Sequence, residues 1–207
     1  MNKKVSKEIK RGQIYQIDQS GKVEQTQIDT IVALANGTDG SVLCKTQTKR
    51  ILQEVFRRQK RAKLFPYLTF AALVAILIKI CAPKRKVIID TEYYGHNNLI
   101  RERIIAYLRL LGQQNMMPIE FGYVGKNSPA HTLAAHVGNK KRKPTKKVTL
   151  EEILKLLFAI KKDRESKRAE GNLTQDWLPG DQKPSRSQKS LSKKQPFVKE
   201  GQKKNKP

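Results

Sequence analysis

Five residues hold most of the chemistry this sequence offers. Asp90 ends the apolar run Val87-Ile88-Ile89, and Glu92 follows two places later. Asp18 stands just ahead of the turn Gln19-Ser20-Gly21-Lys22. Glu54 lies inside a basic helical pattern, and His131 follows Ser128-Pro129. A carboxylate at a strand end either binds a hard divalent cation, which prefers oxygen ligands, or accepts loop amides in an Asx-turn. For Glu54 the competing role is a solvated ion pair with Arg50 or Arg58, one helical turn away. His131 reads as a capped, exposed residue or as a metal ligand or proton carrier. His136, five residues on, faces elsewhere on the same helix, and His96 has no specific support.

These acids are scarce. The 207 residues include 43 Lys+Arg against 18 Asp+Glu, a formal charge of +25. That excess points to nucleic acid or an anionic surface, because binding phosphate releases counterions. Cys44 and Cys81 show neither zinc spacing nor a disulfide framework and read as reduced core residues. The basic N-terminus has no apolar stretch behind it, so a secretory signal is not expected and a cytoplasmic location is. No G-x-x-x-x-G-K-[ST] occurs, so no nucleotide cofactor is expected.

The elements that must position these residues follow from periodicity and turn signals. Strands are expected at 13–18, 30–36 and 41–45, with 23–27 as a possible returning strand. Asp39-Gly40 reads as the centre of a hairpin turn. A helix follows, with 51, 52, 55 and 56 on its apolar face. Phe65 to Ile78 is about 14 uncharged residues, shorter than the roughly 20 of a spanning helix. A buried core helix fits it better, and a membrane-surface segment is the alternative. Residues 86–90 read as a central strand, buried on both faces. Asn97 or Asn98 would cap the next helix. A strand is expected at 119–124, a helix from Ser128-Pro129, and a last helix over 150–162, opened by a Thr149–Glu152 capping box. From 164 on, 12 Lys/Arg and five Asp/Glu with no apolar periodicity predict a disordered basic tail. The expected organisation is a basic arm over 1–11, a domain over 12–163 and that tail over 164–207.

The order β-β-β-α-β-α-β-α, with one extra apolar helix before the fourth strand, resembles the ribonuclease-H-like (retroviral-integrase-like) superfamily over about residues 13–138. The stretch Ile17-Asp18-Gln19-Ser20-Gly21 is similar to the Asp-Glu-Ser-Gly opening of an uncharacterised family of that superfamily. GKNSPAHTLAAHVG is similar to its closing helix. Here Gln19 replaces the Glu, and His131 stands where an Asp would be expected. Some branches, Argonaute among them, use a His at the last position. The resemblance implies an α/β fold with a mixed five-stranded sheet in which the first and fourth strands are neighbours. Asp18 and Asp90 would then lie side by side and repel. Mg²⁺ or Mn²⁺ would neutralise them, with Glu54 and Glu92 as further candidate ligands and His131 as a catalytic partner.

Phosphate contacts are expected from Ser20 and Lys22, from Lys126 and Ser128 ahead of a helix N-terminus, and from basic clusters holding Arg57, Arg58, Lys84, Arg85, Lys140, Lys141 and Arg142. The clusters are expected to flank one groove. Aromatic residues make up only 6% of the chain, so backbone recognition is expected rather than a base-stacking platform. The expected function is a metal-dependent nuclease acting on RNA, RNA–DNA hybrid or structured DNA. Strand transfer by the same chemistry, a non-catalytic nucleic-acid-binding protein of the same fold, and a peripheral membrane protein are the alternatives.

Overall fold

The computed structural model describes residues 14–114 and 116–169. The expected N-terminal arm and residues 170–207 lie outside the described residues. The chain is α/β, with a six-stranded mixed sheet and five α-helices among the described residues. Strands β1 (Tyr15–Ser20), β2 (Thr30–Ala35) and β3 (Gly40–Cys44) form an antiparallel meander. Helix α1 (Thr46–Arg58), a 3-10 turn (Ala62–Leu64) and helix α2 (Phe65–Cys81) lead to β4 (Val87–Asp90), which pairs parallel with β1. After helix α3 (Asn97–Leu110), β5 (Ile119–Gly122) adds parallel to β4. Helix α4 (Pro129–Gly138), the short β6 (Lys146–Lys147) and helix α5 (Leu150–Ala169) complete it. The strand order is β5-β4-β1-β2-β3-β6, and β2 alone runs against the others.

Period-two alternation splits each strand between two cores. Tyr15, Ile17, Val32, Leu34, Val42, Cys44, Val87 and Ile89 join the larger core with α1, α2, α3 and α5. Ile31, Ala33, Ala35 and Leu43 face the other way, under Ala130, Leu133, Ala134 and Val137 of α4. Helix α2 is apolar all round because it is surrounded: it contacts β2, β3, α1, α3 and α5. Ala62–Cys81 is long and apolar enough to cross a membrane by length and composition, yet 72% of its most apolar window is buried. Burial pushes the Cys44 and Cys81 thiols up to about 12 and about 11, as befits inert core cysteines.

Several expected boundaries shift, each for a visible reason. Residues 23–27 form turns rather than a strand. Lys49 Nζ donates to the carbonyls of Lys22 (3.0 Å) and Gln25 (2.8 Å), removing both from any ladder. The hairpin turn is Asn36–Asp39, with Asn36 left-handed at φ 81°. Gly40 is the first residue of β3, where an added Cβ would meet Cys81 Sγ, so the glycine makes room for α2. The buried stripe of α1 is Lys49, Leu52 and Phe56, leaving Ile51 exposed. β6 makes the sheet six-stranded instead of five. It is held by Ser41 N donating to Thr145 Oγ1 (3.0 Å) and Val148 N to the Leu43 carbonyl (2.9 Å). His96, stacked on Tyr67 at 3.9 Å, occupies the N-cap of α3 in place of an Asn. The Thr149–Glu152 capping box closes as expected, with reciprocal bonds of 3.0 and 3.3 Å. The helix it opens continues to Ala169, so residues 164–169 belong to α5 and not to a disordered tail.

Leu73 is fully buried in the middle of α2. Leu73→Ala is expected to lower unfolding free energy by about 2–5 kcal/mol, the usual cost of such a cavity, read from urea denaturation.

Candidate functional site

The parallel register pairs Ile17 with Ile89. Both face the larger core, so the next residue on each strand points to the opposite face, beside α4. Those residues are Asp18 and Asp90. Ligand oxygens of Asp18, Asp90 and Glu92 all lie within 4.8 Å of one another. Glu92 reaches this edge because the chain turns immediately after β4, where Glu92 N donates to the Asp90 carbonyl at 3.0 Å.

Each acid is partly compensated. Asp18, only 5% exposed, accepts Gln19 N on Oδ1 at 2.7 Å, and His131 Nδ1 lies 2.7 Å from its Oδ2. Asp90 Oδ1 accepts Val124 N at 2.8 Å. That bond takes Val124 out of the ladder, which is why β5 stops at Gly122. Glu92 pairs with Lys22 at 3.3 Å. Burial pushes the Asp18 carboxyl up; the Gln19 amide and His131 pull it down, and the charge of Asp90 pushes it up again. The net direction is upward. Glu92 is raised as well, by burial first and by Asp90 and Asp18, against the pull of Lys22. Negative charge is therefore costly at Asp18 and Glu92, through burial before all else. Three oxygen donors in this arrangement could hold a metal ion.

His131 is placed by its helix. Ser128 caps α4, accepting His131 N at 3.0 Å, and the imidazole, 42% exposed, turns onto Asp18. With Asp18 ionised, Nδ1 donates to it, and in the neutral ring Nε2 is then the acceptor. The small residues Ala33, Ala130 and Ala134 let α4 approach the sheet closely enough for this contact.

The other expected site residues are scattered. Glu54 is outside the acidic group; it is exposed on α1 and pairs with Arg58 at 2.9 Å, the ordinary i,i+4 alternative. Ser128 is buried, and its Oγ accepts the His131 amide in the cap of α4. Ser20 is half-buried, with its Oγ 3.5 Å from where a Cβ on Gly138 would stand, and Lys22 is engaged by Glu92. Lys126 is exposed in the loop before α4, and Lys140, Lys141 and Arg142 are exposed just past its C-terminus. Arg57 and Arg58 end α1, whose buried residues belong to the core on the other face of the sheet from Asp18. Lys84 and Arg85 precede β4 and so sit beyond the opposite end of that strand from Asp90, with about 10 Å of strand between. The three basic clusters thus start from different elements: the end of α1, the approach to β4 and the segment after α4.

Lys49 is a residue that sequence reasoning passed over. It is wholly buried and also donates to Thr30 Oγ1 at 2.8 Å. Its ammonium fixes the 22–30 segment and with it Lys22. The signal was available: Lys49 is spaced three and seven residues from Leu52 and Phe56, on the buried stripe.

Two outcomes follow. Because the folded pKa of Asp18 is raised, its stabilising contribution is complete below the ordinary carboxylate range and is lost as pH rises through the raised value. Asp18→Asn should therefore raise the Tm at pH 7 in EDTA, with the gain disappearing near pH 3, as read by calorimetry. Lys49→Met should cost at least about 2 kcal/mol, because three acceptors lose their donor, and should speed hydrogen exchange across 22–29.

No family model, no curated protein and no solved structure matches this chain.

Proposed function

We propose that the protein is a divalent-metal-dependent nuclease of ribonuclease-H-like fold, hydrolysing phosphodiester bonds in RNA, RNA–DNA hybrid or structured DNA. The observation that carries the reading is the meeting of Asp18 and Asp90 on adjacent parallel strands, with Glu92 beside them. The order β5-β4-β1-β2-β3 with β2 alone reversed supports the same fold reading. So does the placement of His131, from a helix after β5, on the first-strand Asp.

Asp18, Asp90 and Glu92 would hold Mg²⁺ or Mn²⁺. Such an ion, when bound, polarises water and steadies charge on phosphate oxygens. The chain's own residues do the rest. Val124 N and Gln19 N orient the two aspartates, leaving their remaining lone pairs for the ion. His131, anchored through Nδ1, offers Nε2 as a proton acceptor at the half-open edge of the site, which fits a proton carrier better than a fourth ligand. Lys22, held by the Lys49 clamp, keeps Glu92 in place. The chain's charge of +25 draws polyanions to the surface.

A non-catalytic nucleic-acid-binding role is the second reading. It is favoured by the internal partners that Asp18, Asp90 and Glu92 already have: Gln19, His131, Val124 and Lys22.

Labelled RNA, hybrid and duplex DNA with Mg²⁺ or Mn²⁺ separate the two. Cleavage by the wild type that falls more than about 100-fold in Asp90→Asn, the loss of a metal ligand exceeding that of an outer partner, is the expected result. Salt-sensitive binding with no turnover in either metal would leave only the second reading.

A further inference from the structure

We infer that Tyr94 and Tyr123 form a platform on which unpaired bases of a single-stranded nucleic acid stack, beside the carboxylate site. The inference rests on the nucleic-acid part of the proposed function and not on the metal.

The two rings are 83% and 88% exposed, while Phe158 is the only other aromatic among the described residues to count as exposed, at 38%. Tyr15, Phe56, Phe65, Phe70, Tyr93 and Tyr107 are all buried. Apolar ring surface left in water costs free energy that folding does not recover, so two such rings at one edge invite a ligand. The edge is that of the acids. Tyr123 follows Gly122, the ladder partner of Asp90, and Tyr94 stands two residues beyond Glu92.

Both rings stand on fixed mounts. Below Tyr94, Tyr93 is buried between Tyr67 and Phe70, and its hydroxyl donates to Glu24 at 3.0 Å. Gly95, at φ +79°, and the bond from His96 N to the Tyr93 carbonyl (3.1 Å) close the turn that carries Tyr94 outward. Tyr123 is followed directly by the Val124 amide bound to Asp90, and its ring lies over Gly125, where a Cβ would sit 3.2 Å from Cε1. Rigid mounting lowers the ordering cost of binding.

The surroundings supply the charge. Lys126 is exposed three residues beyond Tyr123, and the chain as a whole is strongly cationic. Ring faces bind any base that is not already stacked on two neighbours, so the platform takes single strands, is tolerant of sequence and rejects paired duplex. This narrows the substrate to single-stranded RNA or DNA, or the unpaired part of a structured one, and replaces the expectation of recognition through the backbone alone.

The test is fluorescence anisotropy in EDTA, which removes catalysis. The probes are labelled oligothymidine and oligouridine of about twelve nucleotides, within the usual span of such sites, a hairpin duplex, and an abasic strand of equal charge. The wild type should bind the base-bearing strands roughly tenfold or more tighter than the abasic strand. Tyr94→Ala with Tyr123→Ala should abolish that difference with Tm unchanged, and Phe at both positions should restore it. Equal affinity for abasic and base-bearing strands, or a double Ala variant that binds like wild type, overturns the platform. Base-dependent binding without metal-dependent cleavage would remove the nuclease and keep the platform; cleavage with no effect of the tyrosines on binding would do the reverse.

Discussion

The rest of the molecule depends on one pairing, the parallel contact between the first strand and the fourth. They are separated by some 66 residues of sequence, from Ser20 to Val87, yet register between Ile17 and Ile89 fixes which acids meet. A slip of one residue would turn Asp90 into the apolar core and Ile89 out of it, so burial of Ile17, Val87 and Ile89 holds the register. Like charges are thereby forced together by apolar side chains pointing the other way. The penalty is moderated locally by amide donors, by His131 and by Lys22, and globally by the positive field of a chain with 25 excess cations.

The sheet's two faces divide the labour. On one, α1, α2, α3 and α5 supply a thick core that fixes the strands. On the other, α4 is the one helix among the described residues that covers β1, β2 and β3, with alanines between larger aliphatic side chains, and it leaves the β4 side less covered. Asp18 lies where that cover ends. Its depth beneath α4 makes its charge costly, while the neighbouring Asp90 and Glu92 remain half-open to a ligand.

Much of this was legible in the chain itself. The unbroken apolar run before Asp90 announces a central strand, though its second face, with Ile88, is only half-buried; the Ser128-Pro129 start and the Thr149–Glu152 box fix helix N-termini through local hydrogen bonds. What failed was tertiary. Nothing local says that Lys49 will claim the carbonyls of 22 and 25, so VEQTQ looks like a strand. Nothing local says that Val124 will give its amide to Asp90 and end β5 early, or that Gly40 is needed for Cys81 rather than for a turn. At the site, Asp18, Asp90 and Glu92 were visible as acids at strand ends. Glu54 entered through the resemblance alone; the residues around it already offered the ion pair with Arg58 that the structure shows. The exposed tyrosines escaped notice because composition averages them with buried rings.

Helix α2 carries a consequence for biosynthesis. It is made after β2 and β3, against which one side of it rests, but before α3 and α5, which cover the rest. Until those later helices have been made and docked, a seventeen-residue greasy cylinder lacks part of its cover. The nascent protein therefore passes through a stage in which it offers chaperones, and the machinery that inserts membrane proteins, the kind of surface they bind, and only the arrival of the later helices withdraws it.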